Sequence, residues 1–136
     1  MVLSIPQKQN LFYLIFVILI SIGSIFLYRT TQQEWINYRG AETKYDNKDY
    51  EGAIDLYKKS LEAGIPFSKV AVNLANSYVT TGNFKEAIVI YKDYLLDHPE
   101  DTNVRLDLAR ALSYIGNFEE SEIEYKKTLE DHHENH

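Results

Sequence analysis

Residues 34 positions apart in this chain repeat one another. From position 34 onward the sequence divides into three windows, Glu34–Phe67, Ser68–Asp101 and Thr102–Asn135, which align without a gap. Small residues coincide at Ala41, Ala75 and Ala109, and again at Ala53, Ala87 and Ser121. Aromatic residues coincide at Tyr50, Phe84 and Phe118. The pairs Tyr57-Lys58, Tyr91-Lys92 and Tyr125-Lys126 coincide as well, each followed three residues later by Leu61, Leu95 or Leu129. A period of this length marks one supersecondary unit stacked on copies of itself. Each window holds two stretches of helical amphipathic spacing with a turn signal between them. No such helix pair buries its apolar face alone, so the expected structure is an all-α solenoid in which three stacked pairs share a core.

Local signals mark the helix ends. Asn83 with Glu86, and Asn117 with Glu120, have the spacing of a capping box. Asp49 is placed to cap the second helix of the first window. The small residues allow the paired helices to approach closely, and Tyr57 and Tyr91 are placed to fill the space between layers. The turns read Gly82-Asn83 and Gly116-Asn117, whereas the first window has Lys48-Asp49 instead.

The small-aromatic-small spacing, the Gly-Asn-Phe turns and Pro99 between windows resemble the tetratricopeptide repeat (TPR). The first window departs most: Gly40 stands where the family usually has Leu, and Pro66 falls one place late after Gly64. The resemblance implies a domain over 34–131 with repeats 34–67, 68–101 and 102–135, and a short tail at 132–136. It also implies a protein-binding module rather than an enzyme, with no cofactor.

Ahead of the repeats, Leu11–Tyr28 is a run of 18 residues without a charge, preceded by a tail at 1–10. As a helix it spans roughly 27 Å, close to the thickness of a bilayer's hydrocarbon. Phe12 and Tyr13 lie toward one end, with Phe26, Tyr28 and Trp35 toward the other, as suits headgroup-level rings. A transmembrane helix is the expected reading. A cleaved signal peptide ending near Ser21-Ile22-Gly23 is the rival, but the apolar run continues past that site and is longer than usual signal cores. A buried core helix fits poorly because no polar stripe interrupts the run. Ser21, Gly23 and Ser24 are small enough for a second span to approach, or are simply tolerated. Only Arg29–Gln33, without Pro or Gly, separates the run from the first repeat, so one helix is expected to continue through both. Lys8 and the α-amine against Arg29 place the N-terminus inside. The expected location is a bacterial inner membrane with the repeats periplasmic. Counting Arg39, Lys44 and Lys48 as well reverses that assignment.

In the TPR family the first helix of each pair faces a concave groove. The resemblance places Trp35, Tyr38, Arg39, Glu42, Tyr45 and Asp46 there from the first repeat. The second contributes Lys69, Val72, Asn73, Asn76, Val79 and Thr80. The third contributes Asn103, Leu106, Asp107, Arg110, Ser113 and Tyr114. Aromatic anchors beside amides suit an extended peptide or a partner helix, with Asn73 and Asn76 available to its backbone. A solvated polar face is the plainer reading. The chaperone-tail clamp of some relatives is not expected. Its positions here hold Tyr38, Glu42, Asn73, Asn103 and Asp107, and the two carboxylates would repel a C-terminal carboxylate.

The remaining chemistry narrows the function. Lys plus Arg total 14 against 20 Asp plus Glu, a net charge of −6, which disfavours nucleic-acid binding. There are no cysteines, so thiolate chemistry and Cys-ligated metals are excluded. No phosphate loop or hydrolase motif is present. The run Asp131–His136 reads as a solvated tail rather than a metal site. No capping helix fits after the third repeat, so the last helix either covers a partner or a second copy, or is a tolerated exposed end. The expected function is a bilayer-anchored interaction module acting as scaffold, assembly factor or accessory subunit. A permanent subunit of a respiratory or secretory complex and an organelle import receptor are the alternatives.

Overall fold

The computed structural model describes the backbone of residues 5–134, and the side chains of that range apart from 5–8, 30, 31, 33, 34 and 131–134. Six helices occupy the described residues: α1 Ile5–Asp46, α2 Tyr50–Glu62, α3 Phe67–Thr80, α4 Phe84–Asp97, α5 Thr102–Tyr114 and α6 Phe118–Glu134. They pack in antiparallel pairs, α1 with α2, α3 with α4 and α5 with α6, and each pair stacks on the next.

The small residues set the spacing within each layer. Ala41, Ala53, Ala75, Ala87 and Ala109 are all fully buried. Ser121 takes the sixth place, where its hydroxyl donates to the carbonyl of Ala109 across the pair at 2.8 Å. A hydroxyl in an alanine position is therefore satisfied by the neighbouring backbone rather than stranded. Gly40 has a related role: a Cβ there would stand 3.1 Å from Leu56 Cδ1, so its absence lets α2 seat against α1.

Between layers, the core forms around one tyrosine per interface. Tyr57 lies with Ala41, Ala53, Ile65, Val70 and Leu74 between the first and second layers. Tyr91 lies with Ala75, Ala87, Ile88, Val104, Leu108 and Leu112 between the second and third. Both rings are buried, and both hydroxyls are paired: Tyr57 donates to Glu42 Oε1 and Tyr91 to Asn76 Oδ1. A buried phenol requires such a partner. Burial, with the Glu42 hydrogen bond second, pushes the Tyr57 hydroxyl well above its ordinary value, and burial with the Asp107 charge does the same for Tyr91.

Among the described residues no further helix pair packs against the third layer, and its residues differ from those of the first two. Tyr125, equivalent to Tyr57 and Tyr91, is exposed, as are Ile123 and Leu129. The place of buried Ile88 is taken by Glu122, which pairs with Lys126 at 2.7 Å on the surface. On the other side of α6, Glu124 is buried and ties Arg105 at 3.2 Å and Lys127 at 2.7 Å.

The caps depart in part from the sequence reading. Asp49 accepts from the Gly52 N–H at 3.0 Å, as expected. Asn83 makes no side-chain cap; its amide turns back to Thr81 Oγ1 at 2.8 Å, a hydroxyl the box spacing ignores. Asn117 donates to the Glu120 carboxylate at 2.8 Å. Asp101, not foreseen as a cap, accepts from the Val104 N–H at 3.1 Å and starts α5.

α1 is continuous over 42 residues, so the apolar run and the first repeat share one helix of about 63 Å. Gln9–Arg29 is long and apolar enough to cross a membrane, and every side chain in it is exposed. The histidine-rich end of the chain lies outside the described side chains.

Two sets of measurements test this packing. Gly82 and Gly116 sit at φ 80 and 79°, and Lys48 holds the equivalent turn at φ 63°. Lys48→Gly is expected to raise unfolding stability by ~1 kcal/mol and Gly82→Ala to lower it by ~1 kcal/mol, read by urea denaturation. The tyrosines give a pH signature. Up to about pH 10, the ordinary phenol value, both states hold their protons and these two groups add no pH dependence. Above it the unfolded chain releases protons that folded Tyr57 and Tyr91 retain, so stability falls as pH rises. Tyrosinate absorbance is expected to show two phenols ionising only with unfolding, one fewer in Tyr57→Phe and in Tyr91→Phe.

Candidate functional site

The first helix of each layer, α1, α3 and α5, presents the same register positions to one side, and three small sites result. At the α1 end, the Trp35 ring meets Tyr38 edge-to-face at 5.9 Å, and Lys69 Nζ from α3 stands 5.2 Å from the Trp35 ring centroid. A cation on an aromatic face is held by the ring quadrupole. Arg39 is exposed, with Nε 3.4 Å from the Trp35 carbonyl. Burial and the nearby Glu42 carboxylate raise the Tyr38 hydroxyl above its usual value.

The second site is already closed. Glu42 accepts from Tyr57 and from Asn73 Nδ2 at 3.2 and 3.4 Å. Asn73 therefore spends its amide on locking α3 to α1, not on an incoming chain. Asn76 is committed in the same way, its oxygen to Tyr91 and its nitrogen to Tyr45 at 3.5 Å. In this geometry the Asn73 nitrogen and both ends of the Asn76 amide already have partners within the stack. The buried tyrosines behind them need partners, and position nine of the repeat supplies those partners.

The third site is open. Tyr45, Asn76, Val79, Thr80, Tyr91, Asp107, Arg110 and Tyr114 line one cavity of about 380 Å³. Seven of these stand at positions that the resemblance placed in the groove. Tyr91 is the exception: it belongs to α4 and reaches through the layer to form the floor. Its equal spacing with Tyr57 marks it as a core residue, and only its hydroxyl, which a core reading leaves unassigned, points toward the groove. The walls carry both signs. Asp107 and Arg110 pair at 3.0 Å while Arg110 stays exposed, and the Tyr114 ring, 69% exposed, stacks on Phe84 at 4.8 Å. In the third repeat Arg110 occupies the position of Glu42 and Asn76, and no phenol is buried behind it.

The other named residues lie at the margins. Val72 packs against the core between the second and third layers, Leu106 and Ser113 are half-buried, and Asp46 and Asn103 are exposed outside the cavity lining. A second cavity of about 340 Å³ lies among α4, α5 and α6, but its charges are spent in pairs, Lys92 with Glu120 at 2.5 Å and Lys127 with Glu124.

Comparison with known proteins follows this geometry. A search of curated protein sequences finds no significant match. Among solved structures, a point mutant of MamA is 27% identical with a TM-score of 0.66, over 72% of each chain. A second MamA structure, labelled AMB-1, is 26% identical with a TM-score of 0.67, over 74% of this chain and 59% of that one. The first TPR of Spaghetti (RPAP3), bound to an HSP90 peptide, has the same fold at 21% identity and a TM-score of 0.63, over 74% of this chain and 79% of its own. The tetratricopeptide repeat profile matches residues 44–102 and 78–136. With the all-helical stack, the 34-residue period and this match in agreement, the chain belongs to the tetratricopeptide repeat family and carries a protein–protein interaction module.

Proposed function

We propose that this chain is a bilayer-anchored TPR adaptor, a scaffold, assembly factor or accessory subunit of a membrane complex. In this reading it grips an extended peptide of a partner protein in the cavity between α1, α3 and α5. The observation that carries the reading is that cavity: it is open, joins all three repeats, and offers exposed Thr80, Arg110 and Tyr114 beside the Asp107 carboxylate. Aromatic rings supply contact area, and unlike charges fix register. The Spaghetti domain is bound to a peptide in a similar fold. A carboxylate tail is not the ligand proposed here, because Glu42 and Asp107 stand at the clamp positions and repel it.

The anchor is Gln9–Arg29, with the repeats on the periplasmic side of a bacterial inner membrane. Support comes from the exposed apolar surface of that helix and from Lys8 with the α-amine against Arg29. A permanent subunit is the second reading, favoured by exposed Tyr125 and Leu129 on the outer face of α6, which a fixed neighbour or second copy would cover.

Arg110→Glu combined with Tyr114→Ala changes two exposed side chains outside the core. The expected result is at least a tenfold drop in partner co-purification with helicity unchanged by circular dichroism; undiminished co-purification removes the groove from the reading. Native sizing after mild-detergent solubilisation separates the two functions. An adaptor runs mostly as free protein, whereas a permanent subunit runs in one large species.

A further inference from the structure

We infer that the repeat stack rests on the lipid headgroups along one particular edge, formed by the inter-repeat loops 63–66 and 98–101 and the last turn of α4. The groove then opens sideways and runs parallel to the bilayer. This rests on the reading that Gln9–Arg29 spans the membrane.

The orientation of the stack is set by α1. This helix leaves the span at Arg29 and continues without a break to Asp46, so its axis fixes the axes packed against it. The pairs are antiparallel hairpins, so α3 and α5 run with α1, and α2 and α4 run back toward the membrane. The turns at 47–49, 81–83 and 115–117 therefore stand at the far end, and the loops 63–66 and 98–101 at the near end. The height of the near end is set by a contact. Lys69, in the first turn of α3, sits over Trp35, and Trp35 lies six residues beyond Arg29, or about 9 Å along the helix. The headgroup zone of one leaflet is about 5–8 Å deep. The first turn of α3 is thus level with its outer boundary, and the loops are level with it or lower. The far turns lie about 27 Å above Arg29 by the same count.

The side chains of this edge fit that placement. Trp35 belongs to the type that collects at the membrane–water boundary. Leu96, in the last turn of α4, is 78% exposed, the highest value for any large apolar side chain among the described residues. Lys69 is exposed on this edge. Asp97 and Glu100 on the same edge oppose anionic lipid, so the surface it fits is a zwitterionic one.

The chain has no cysteine, so single labels can be placed freely. Ser68→Cys and Glu100→Cys report the near edge, and Lys85→Cys and Glu119→Cys the far one. Each full-length variant carries a small fluorophore in phosphatidylcholine nanodiscs whose headgroups bear a nitroxide. Ile18→Cys with acyl-chain nitroxide reports the anchor. Fluorophores at 68 and 100 are expected to be quenched severalfold more than those at 85 and 119. Equal quenching at both edges, with the label at 18 quenched, overturns the edge placement and leaves the anchor standing. An unquenched label at 18 overturns both.

Discussion

Each interface between layers depends on a buried phenol and the side chain that accepts its hydrogen bond. Tyr57 and Tyr91 fill the space where one helix pair meets the next. Their rings supply apolar area, but their hydroxyls would be stranded without Glu42 and Asn76, each fifteen residues earlier on the preceding helix. Those acceptors are in turn held by Asn73 and Tyr45. The phenol contact ties the first helix of a layer to its own second helix, and both acceptors also bond between α1 and α3, Glu42 forward to Asn73 and Asn76 back to Tyr45. Solenoid stability is a sum of such nearest-neighbour terms. Where the repetition stops the contact stops as well: Arg110 replaces the acceptor, and Tyr125 is exposed.

The same contact shapes the groove. It closes the middle of the concave face, because Glu42, Asn73 and Asn76 are spent on holding layers together. What remains for a ligand is the distal cavity around Asp107, Arg110 and Tyr114, and the Trp35–Lys69 cluster nearer the apolar helix. The recognition surface therefore has two separate ends with a structural seam between them. A peptide engaging both ends would have to pass over a hydrogen-bonded surface that offers it few free donors.

The acidic surplus has a different meaning on the folded chain than in composition. Three of its carboxylates on α6 are paired: Glu120 with Lys92, Glu122 with Lys126, and Glu124 with Arg105 and Lys127. Exposed pairs of this kind contribute little stability. Buried Glu124 is different. With Arg105, whose guanidinium also donates to the Pro99 carbonyl, it links α6 to α5 and to the loop before it.

The sequence alone determined the repeat length, the three helix pairs, the positions of close approach and the unbroken passage from apolar run to first repeat. Each of these follows from periodicity, residue size, or the absence of Pro and Gly, properties carried by single positions along the chain. It did not reveal that Asn83 turns to Thr81, that Asp101 caps α5, that Asn73 and Asn76 are consumed within the stack, or that Tyr91 forms the groove floor. Each of those is a choice among several partners within reach, and the choice depends on which groups the packed layers bring to hydrogen-bond distance. The tertiary structure alone decided it, because a hydrogen bond is directional and short whereas a sequence pattern records only spacing.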